Sequence, residues 1–131
     1  MRLLLDTHIL LWWFDAEPRL SATQRAALGG ATEEEPLCVS DITLWEIATL
    51  LQLGRIELRL PLRDWLEAAT APPLVRRCAI SPAVAAELAA LPATLRDPAD
   101  RIIVATARVL GATLVTQDRP IIASGVVPTL A

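Results

Sequence analysis

Two rhythms alternate along the chain: short unbroken apolar runs, and longer stretches whose apolar residues recur three or four apart. Leu3–Leu5 is an apolar triplet cut off by Asp6, the pattern of a short buried strand. Ser21-Ala22-Thr23-Gln24 has capping-box form and predicts a helix that ends near Gly29-Gly30. Leu37-Cys38-Val39 reads as a second buried strand. Ser40 or Asp41 then caps a helix running through Trp45, Glu46 and Ile47 to Leu53, with Gly54 as its stop. Pro61 opens a helix from Leu62 to about Thr70, and Arg76–Ile80 predicts a third strand. Ser81-Pro82 and Asp97-Pro98 each place a capping residue before proline at the first helical position. The first predicts a helix to about Leu91; the second predicts one carrying Ile102, Ile103, Ala105, Thr106 and Val109 that Gly111 ends. A fourth strand over Thr113–Thr116, a short helix after Asp118 and a last strand near Val126–Thr129 complete the pattern.

Strands that alternate with helices, joined by connections too long for hairpins, imply a mostly parallel central sheet covered on both faces. The expected class is α/β, a three-layer α/β/α sandwich. A length of 131 residues suits one domain over 1–131, and 53% hydrophobic residues fill one core and exclude a disordered chain. No repeat, low-complexity tract or linker interrupts it; Glu33-Glu34-Glu35 reads as a solvated loop. The longest apolar runs are too short to span a bilayer, and Asp6 stops the first one well short of a signal-peptide core. The expected location is therefore the cytoplasm, with no membrane partner. Cys38 and Cys78 lack paired ligand spacing and are expected to be buried free thiols.

Charge narrows the chemistry. The formal net charge is −3, so this is not a globally basic nucleic-acid binder. All twelve cations are arginine, which excludes any mechanism that requires a lysine. The apolar content is high for so small a surface-rich chain, with Trp12, Trp13 and Phe14 in one run and Leu50, Leu51 and Leu53 in another. The surplus is expected to form an interface with another chain.

Four acids stand where such a fold converges. In a β-α-β unit each helix starts at the carboxyl edge of the sheet. Asp6 ends strand one, Asp118 follows strand four, and Glu46 and Asp100 lie in the first turns of their helices. All four are directed to the edge where open α/β sheets bind ligands, at the point where strand order reverses. Repulsion would raise some of their pKa values unless a cation joins them. Oxygen-only ligands favour a hard ion, Mg²⁺ or Mn²⁺, over Zn²⁺, and the lone His8 and isolated cysteines form no zinc site. Such a centre, bound to a phosphodiester, can polarise the phosphoryl group, orient or deprotonate the attacking water and stabilise the leaving oxygen.

Each acid also has an ordinary reading. Asp6 and Asp97 can be helix N-caps, Thr43-x-x-Glu46 can close a capping box, Asp100 can be a dipole-favoured first-turn acid, and Asp118 a turn residue. Those readings leave unexplained why the polar residues that end apolar strands one and four are both aspartate at one sheet edge. His8 reads as a helix-start or surface residue with substrate contact as the alternative, and the four tryptophans as core or interface before base-stacking platforms.

Leu5-Asp6-Thr7-His8, the run from Ser40 to Ala48, the run from Asp97 to Ala107, and Leu114 to Asp118 resemble the PIN-domain ribonucleases, and more narrowly the VapC toxins of toxin–antitoxin pairs. The motifs occur in the family order across nearly the whole chain. The resemblance implies a PIN-like α/β/α sandwich, Mg²⁺- or Mn²⁺-dependent cleavage of RNA, inhibition by a cognate antitoxin, and a homodimer. It assigns catalytic and metal-binding roles to Asp6, Glu46, Asp100 and Asp118. It also makes Asp97 an extra acid near the site and Ser40 a support for Asp6. Related sequences often carry His two residues before the Asp-Pro, where this chain has Leu95.

Receiver domains and haloacid-dehalogenase-type phosphatases also gather acids at a parallel sheet edge, but both patterns use a lysine that this chain lacks. A catalytically inactive PIN-like scaffold that binds RNA or protein would be expected to have lost an acid, and none is missing. Arg96, Arg101 and Arg119 flank the acids and are candidates for substrate phosphates, with surface ion pairing as the alternative.

Overall fold

The computed structural model describes residues 1–131. Its elements in chain order are β1 (Leu3–Leu5), α1 (Thr7–Phe14), α2 (Ala22–Leu28), β2 (Leu37–Ser40), α3 (Asp41–Gln52), α4 (Leu62–Ala69), β3 (Val75–Cys78), α5 (Pro82–Leu88), α6 (Pro98–Leu110), β4 (Thr113–Val115), α7 (Arg119–Ser124) and β5 (Thr129–Leu130). The five strands form one all-parallel sheet in the order β3-β2-β1-β4-β5. The α/β expectation holds. Chain order reverses between β1 and β4, which pair Leu4 with Leu114 and Leu5 with Val115.

The apolar triplet of β1 serves both faces, because successive strand side chains point to opposite sides. Leu3 and Leu5 join a core with Ile9 and Leu10 of α1, Ile47 of α3, and Trp65 and Ala69 of α4. Leu4 joins the opposite core with Val84 of α5, Ile103, Val104 and Ala107 of α6, and Ile121 of α7. Strands buried on both faces read as continuous apolar runs, and this explains the pattern of β1 and β2.

The capping signals acted as expected. Ser21 and Gln24 form a reciprocal capping box. Ser81 and Asp97 cap α5 and α6 ahead of proline. Gly111 ends α6 at φ +63°, a conformation disfavoured for residues with a Cβ. Three boundaries differ from expectation by more than one residue. β3 lies over Val75–Cys78, because its partner β2 offers only Leu37–Ser40 before the chain turns into α3. The last turn of α5 tightens: the N–H groups of Ala89, Ala90 and Leu91 donate to carbonyls three residues back. β5 begins only at Thr129, since Pro128 has no N–H to donate to the ladder.

Trp65 is fully buried, with Phe14 edge-on at 5.3 Å between ring centroids. Trp12, Trp13 and Phe14 pack half-buried against the same core. Trp45 and Leu53 differ: they are 59% and 60% exposed, so part of the α3 surface has no partner within the chain. Cys38 is buried and Cys78 half-buried, both free. No helix is long and apolar enough to cross a membrane.

Gln24 is fully buried and completely satisfied. Its Nε2 donates to the carbonyls of Thr116 (3.2 Å) and Leu130 (3.0 Å), and its Oε1 accepts from Ser21 N–H and Gln117 Nε2. One amide thus ties α2 to the ends of β4 and β5. Gln24→Leu leaves the buried Thr116 carbonyl without this partner, at a cost of about 1–3 kcal/mol, and removes the partly buried bonds to Ser21 and Leu130 as well. We expect chemical denaturation to show a loss of at least about 2 kcal/mol with an unchanged slope.

Candidate active site

The carboxyl ends of β1 and β4 meet beside the N-termini of α1, α6 and α7 and the second turn of α3. Asp6 is the N-cap of α1, and its Oδ1 accepts from Thr7 N–H at 2.8 Å. Its Oδ2 accepts from the Thr116 hydroxyl at 2.7 Å. The same hydroxyl accepts from Asp118 N–H at 3.0 Å, so Thr116 links the two acids that close strands one and four. Asp118 caps α7 through Ile121 N–H. Asp97 caps α6 through Asp100 N–H at 2.9 Å. The readings of Asp6 and Asp97 as caps are therefore correct, Asp118 is a cap as well where an ordinary turn residue was expected, and capping is what fixes these carboxylates at the sheet edge.

Glu46 does not close a capping box with Thr43, because α3 starts one turn earlier, at Ser40. Its Oε1 accepts instead from the Thr7 hydroxyl, which also lies 3.0 Å from the Thr43 hydroxyl. A chain of threonine hydroxyls thus binds α1 to α3 beneath the acids. One carboxylate oxygen from each of Glu46, Asp97 and Asp100 comes within 4.8 Å of the others. Asp97, expected only as an extra acid, belongs to this tight group, while Asp6 and Asp118 border it.

Electrostatics marks the same place. Asp6 is raised above the ordinary aspartate range, first by burial and further by the Asp118 charge, against the opposing hydrogen bonds from Thr116 and Thr7. Glu46 is raised by burial and by Asp6 and Asp97, against its bond from Thr7. Asp100 is pushed up to about 8, by burial first and then by Asp6, Asp97, Asp118 and Glu46. It has no opposing donor among these causes. An all-oxygen donor set with this unrelieved repulsion fits a hard divalent cation.

Two sequence-level roles need correction. Ser40 does not support Asp6: its hydroxyl accepts from Ile42 N–H at 3.2 Å and caps α3, and Thr116 holds Asp6 instead. Arg101 does not face the acids. Its guanidinium donates to the carbonyls of Leu88, Pro92 and Leu95 at 2.7–3.0 Å, because one helical step past Asp100 turns it toward the α5–α6 connection. Arg96 and Arg119 are exposed and outside the chain's ion pairs. His8 is exposed. Leu95 is buried in the second core, so the chain uses this position for packing. The bonds by which Thr7 and Thr116 hold the acids, and the contact of Thr43 with Thr7, were not foreseen; the sequence signal was a threonine directly after Asp6 and another two residues before Asp118.

With this geometry in view, the family profile of the PIN domain matches residues 3–123. This chain belongs to the PIN-domain family. The PIN chain is 42% identical over 117 residues to Ribonuclease VapC22 of Mycobacterium tuberculosis, covering 88% of this chain and 86% of that one. Among solved structures it is similar to VapBC2 from Rickettsia felis bound to a promoter DNA fragment (TM-score 0.73, 16% identity, 99% and 98% of the two chains). It is also similar to FitAcB from Neisseria gonorrhoeae (TM-score 0.69, 22% identity, 98% and 96% covered). At those identities the two structures speak for the fold of the PIN chain.

The raised acid gives a pH signature in protein free of divalent ions. Between about pH 4 and 8 the native state keeps a proton on Asp100 that the unfolded state releases, so stability falls as pH rises through that window. Asp100→Asn removes this penalty. We expect its melting temperature to exceed that of the wild type by several degrees at pH 8, with the gap shrinking toward pH 4 in a calorimetric series.

Proposed function

We propose that this chain is a divalent-metal-dependent endoribonuclease and the toxin of a toxin–antitoxin pair, with residues 1–131 forming one PIN-like nuclease domain. The observation that carries the reading is the convergence of Asp6, Glu46, Asp97, Asp100 and Asp118 at the strand-order reversal, in a chain 42% identical to a named ribonuclease. Glu46, Asp97 and Asp100 would hold the ion, with Asp6 and Asp118 completing the acidic wall; Mg²⁺ or Mn²⁺ suits the oxygen donors. When bound, the ion polarises a phosphoryl oxygen and favours ionisation of the attacking water. Thr7 and Thr116 fix Glu46 and Asp6, so these carboxylates need little reorganisation to engage substrate. The proton that burial leaves on Asp100 must depart before its carboxylate can serve as a ligand, so ion affinity should rise from neutral to mildly alkaline pH. Arg96 and Arg119, exposed near the starts of α6 and α7, are the proposed phosphate contacts.

The proposed partners are an RNA substrate, a cognate antitoxin and a second copy of the chain. Solved complexes of VapBC and FitAcB proteins support the antitoxin partner. The exposed Trp45 of α3 and Leu53 just after it are the surface such a protein contact would cover.

Asp6→Asn or Asp100→Asn should lower RNA cleavage by at least about 100-fold while the protein stays folded by circular dichroism. EDTA should stop cleavage of a labelled RNA, and Mg²⁺ or Mn²⁺ should restore it. Full activity in EDTA would remove the carboxylate mechanism, and no cleavage with Mg²⁺ or Mn²⁺ present would favour the inactive-scaffold alternative. Light scattering should give twice the chain mass at micromolar concentration, and Trp45→Asp should shift it toward the monomer.

A further inference from the structure

Beside the acids, α1 and the segment 54–59 after α3 enclose an open cleft of about 620 Å³. That volume is of the size that admits a nucleotide. His8 and Trp12 form one wall, their ring centroids 5.8 Å apart and their planes tilted by 50°. The guanidinium carbon of Arg19 lies 6.0 Å from the centroid of the Trp12 ring. Arg55 lines the cleft as well, and neither it nor Arg19 belongs to an ion pair. Arg59 differs in that it donates to the carbonyl of Asp15 at 3.3 Å, which closes the far end. None of the five acids lines the cleft, but His8 follows Thr7, the residue whose hydroxyl holds Glu46, and lies within electrostatic reach of Asp6 and Glu46, so the His8 end of the cleft borders the acidic centre.

The charge balance indicates what the cleft takes. Asp15, Glu17 and Glu57 share it with the three arginines. A groove that only tracks phosphates would be cationic throughout. One with an aromatic wall, a cation on its ring and balanced charge suits the neutral face of a base. We propose that this cleft is a nucleobase subsite of the RNA-cleaving centre, in which one unpaired base near the cleaved bond stacks on Trp12, with the tilted His8 ring against its edge. Arg19 and Arg55 meet its flanking phosphates. This inference rests on the ribonuclease reading above and adds the part of the substrate that the acids cannot recognise.

Steady-state cleavage of a short single-stranded RNA by the full chain tests it. Base–aromatic stacking contributes on the order of tenfold or more in affinity per base. Trp12→Ala should therefore raise KM about tenfold or more and change kcat less than about threefold, and Trp12→Phe should recover most of the loss. Trp12 also packs against the core, so a second measurement separates stacking from folding. RNAs carrying one abasic residue, walked along the positions flanking the cleavage site, should include one for which wild type and Trp12→Ala have the same KM. A KM unchanged in Trp12→Ala overturns the subsite while leaving the ribonuclease reading intact. So does a penalty that persists at every abasic position. Loss of antitoxin binding with RNA KM unchanged would give the cleft to a protein segment and also overturns it. Wild-type protein that cleaves no RNA overturns both readings.

Discussion

Burial of the Asp6 carboxyl at the junction of β1 and β4 is the constraint on which the rest of the structure turns. Taking a carboxylate out of water is costly unless donors replace the lost hydration. Here the Thr7 N–H and the Thr116 hydroxyl do so, one on each oxygen. These donors come from the residues that continue the two strands, so the hydrogen bonds exist only if β1 and β4 are paired in the observed register. A one-residue slip would turn Thr116 to the opposite face and leave Asp6 buried without its second donor.

The constraint spreads outward through backbone. Gln24 grips the Thr116 carbonyl while the Thr116 side chain grips Asp6 and Asp118 N–H, so α2 is coupled to the acidic edge through a single residue. On the other side Thr7 reaches Glu46 and Thr43 and brings in α3. Asp100 has no such relief: four neighbouring acids and burial all act in one direction on it. The scaffold thus holds its acids close at the expense of stability near neutral pH, and a divalent cation is the group that reverses the sign of that interaction. This is a stability cost located at the proposed functional site, and functional sites are a common place for such costs.

Much of the architecture follows from local chemistry. A triplet such as Leu3–Leu5 has no polar side to give to water, so it lies between two layers; Ser-Pro and Asp-Pro pairs start helices; glycine after α6 permits the left-handed turn that ends it. The acids were legible for the same reason, since each stands at an element boundary and the direction of parallel βα units sends those boundaries to one edge. Interactions that depend on how neighbouring elements are rotated were not legible. Asp97 joined Glu46 and Asp100 because α3 and α6 pack side by side, and sequence spacing carries no information on that distance. Arg101 turned to the α5–α6 connection and Ser40 to its own helix because backbone groups nearby in space offered better partners than the acids. By itself the sequence determined the element order, the two-sided burial of the strands and the edge at which carboxylates gather, all set by periodicity and capping within a few residues. Only the tertiary structure decided which hydroxyls hold those carboxylates, which acids come within reach of one ion, and that an aromatic cleft opens beside them. Those outcomes depend on contacts between residues as much as 110 positions apart, as Thr116 and Asp6 are, and packing alone brings them together.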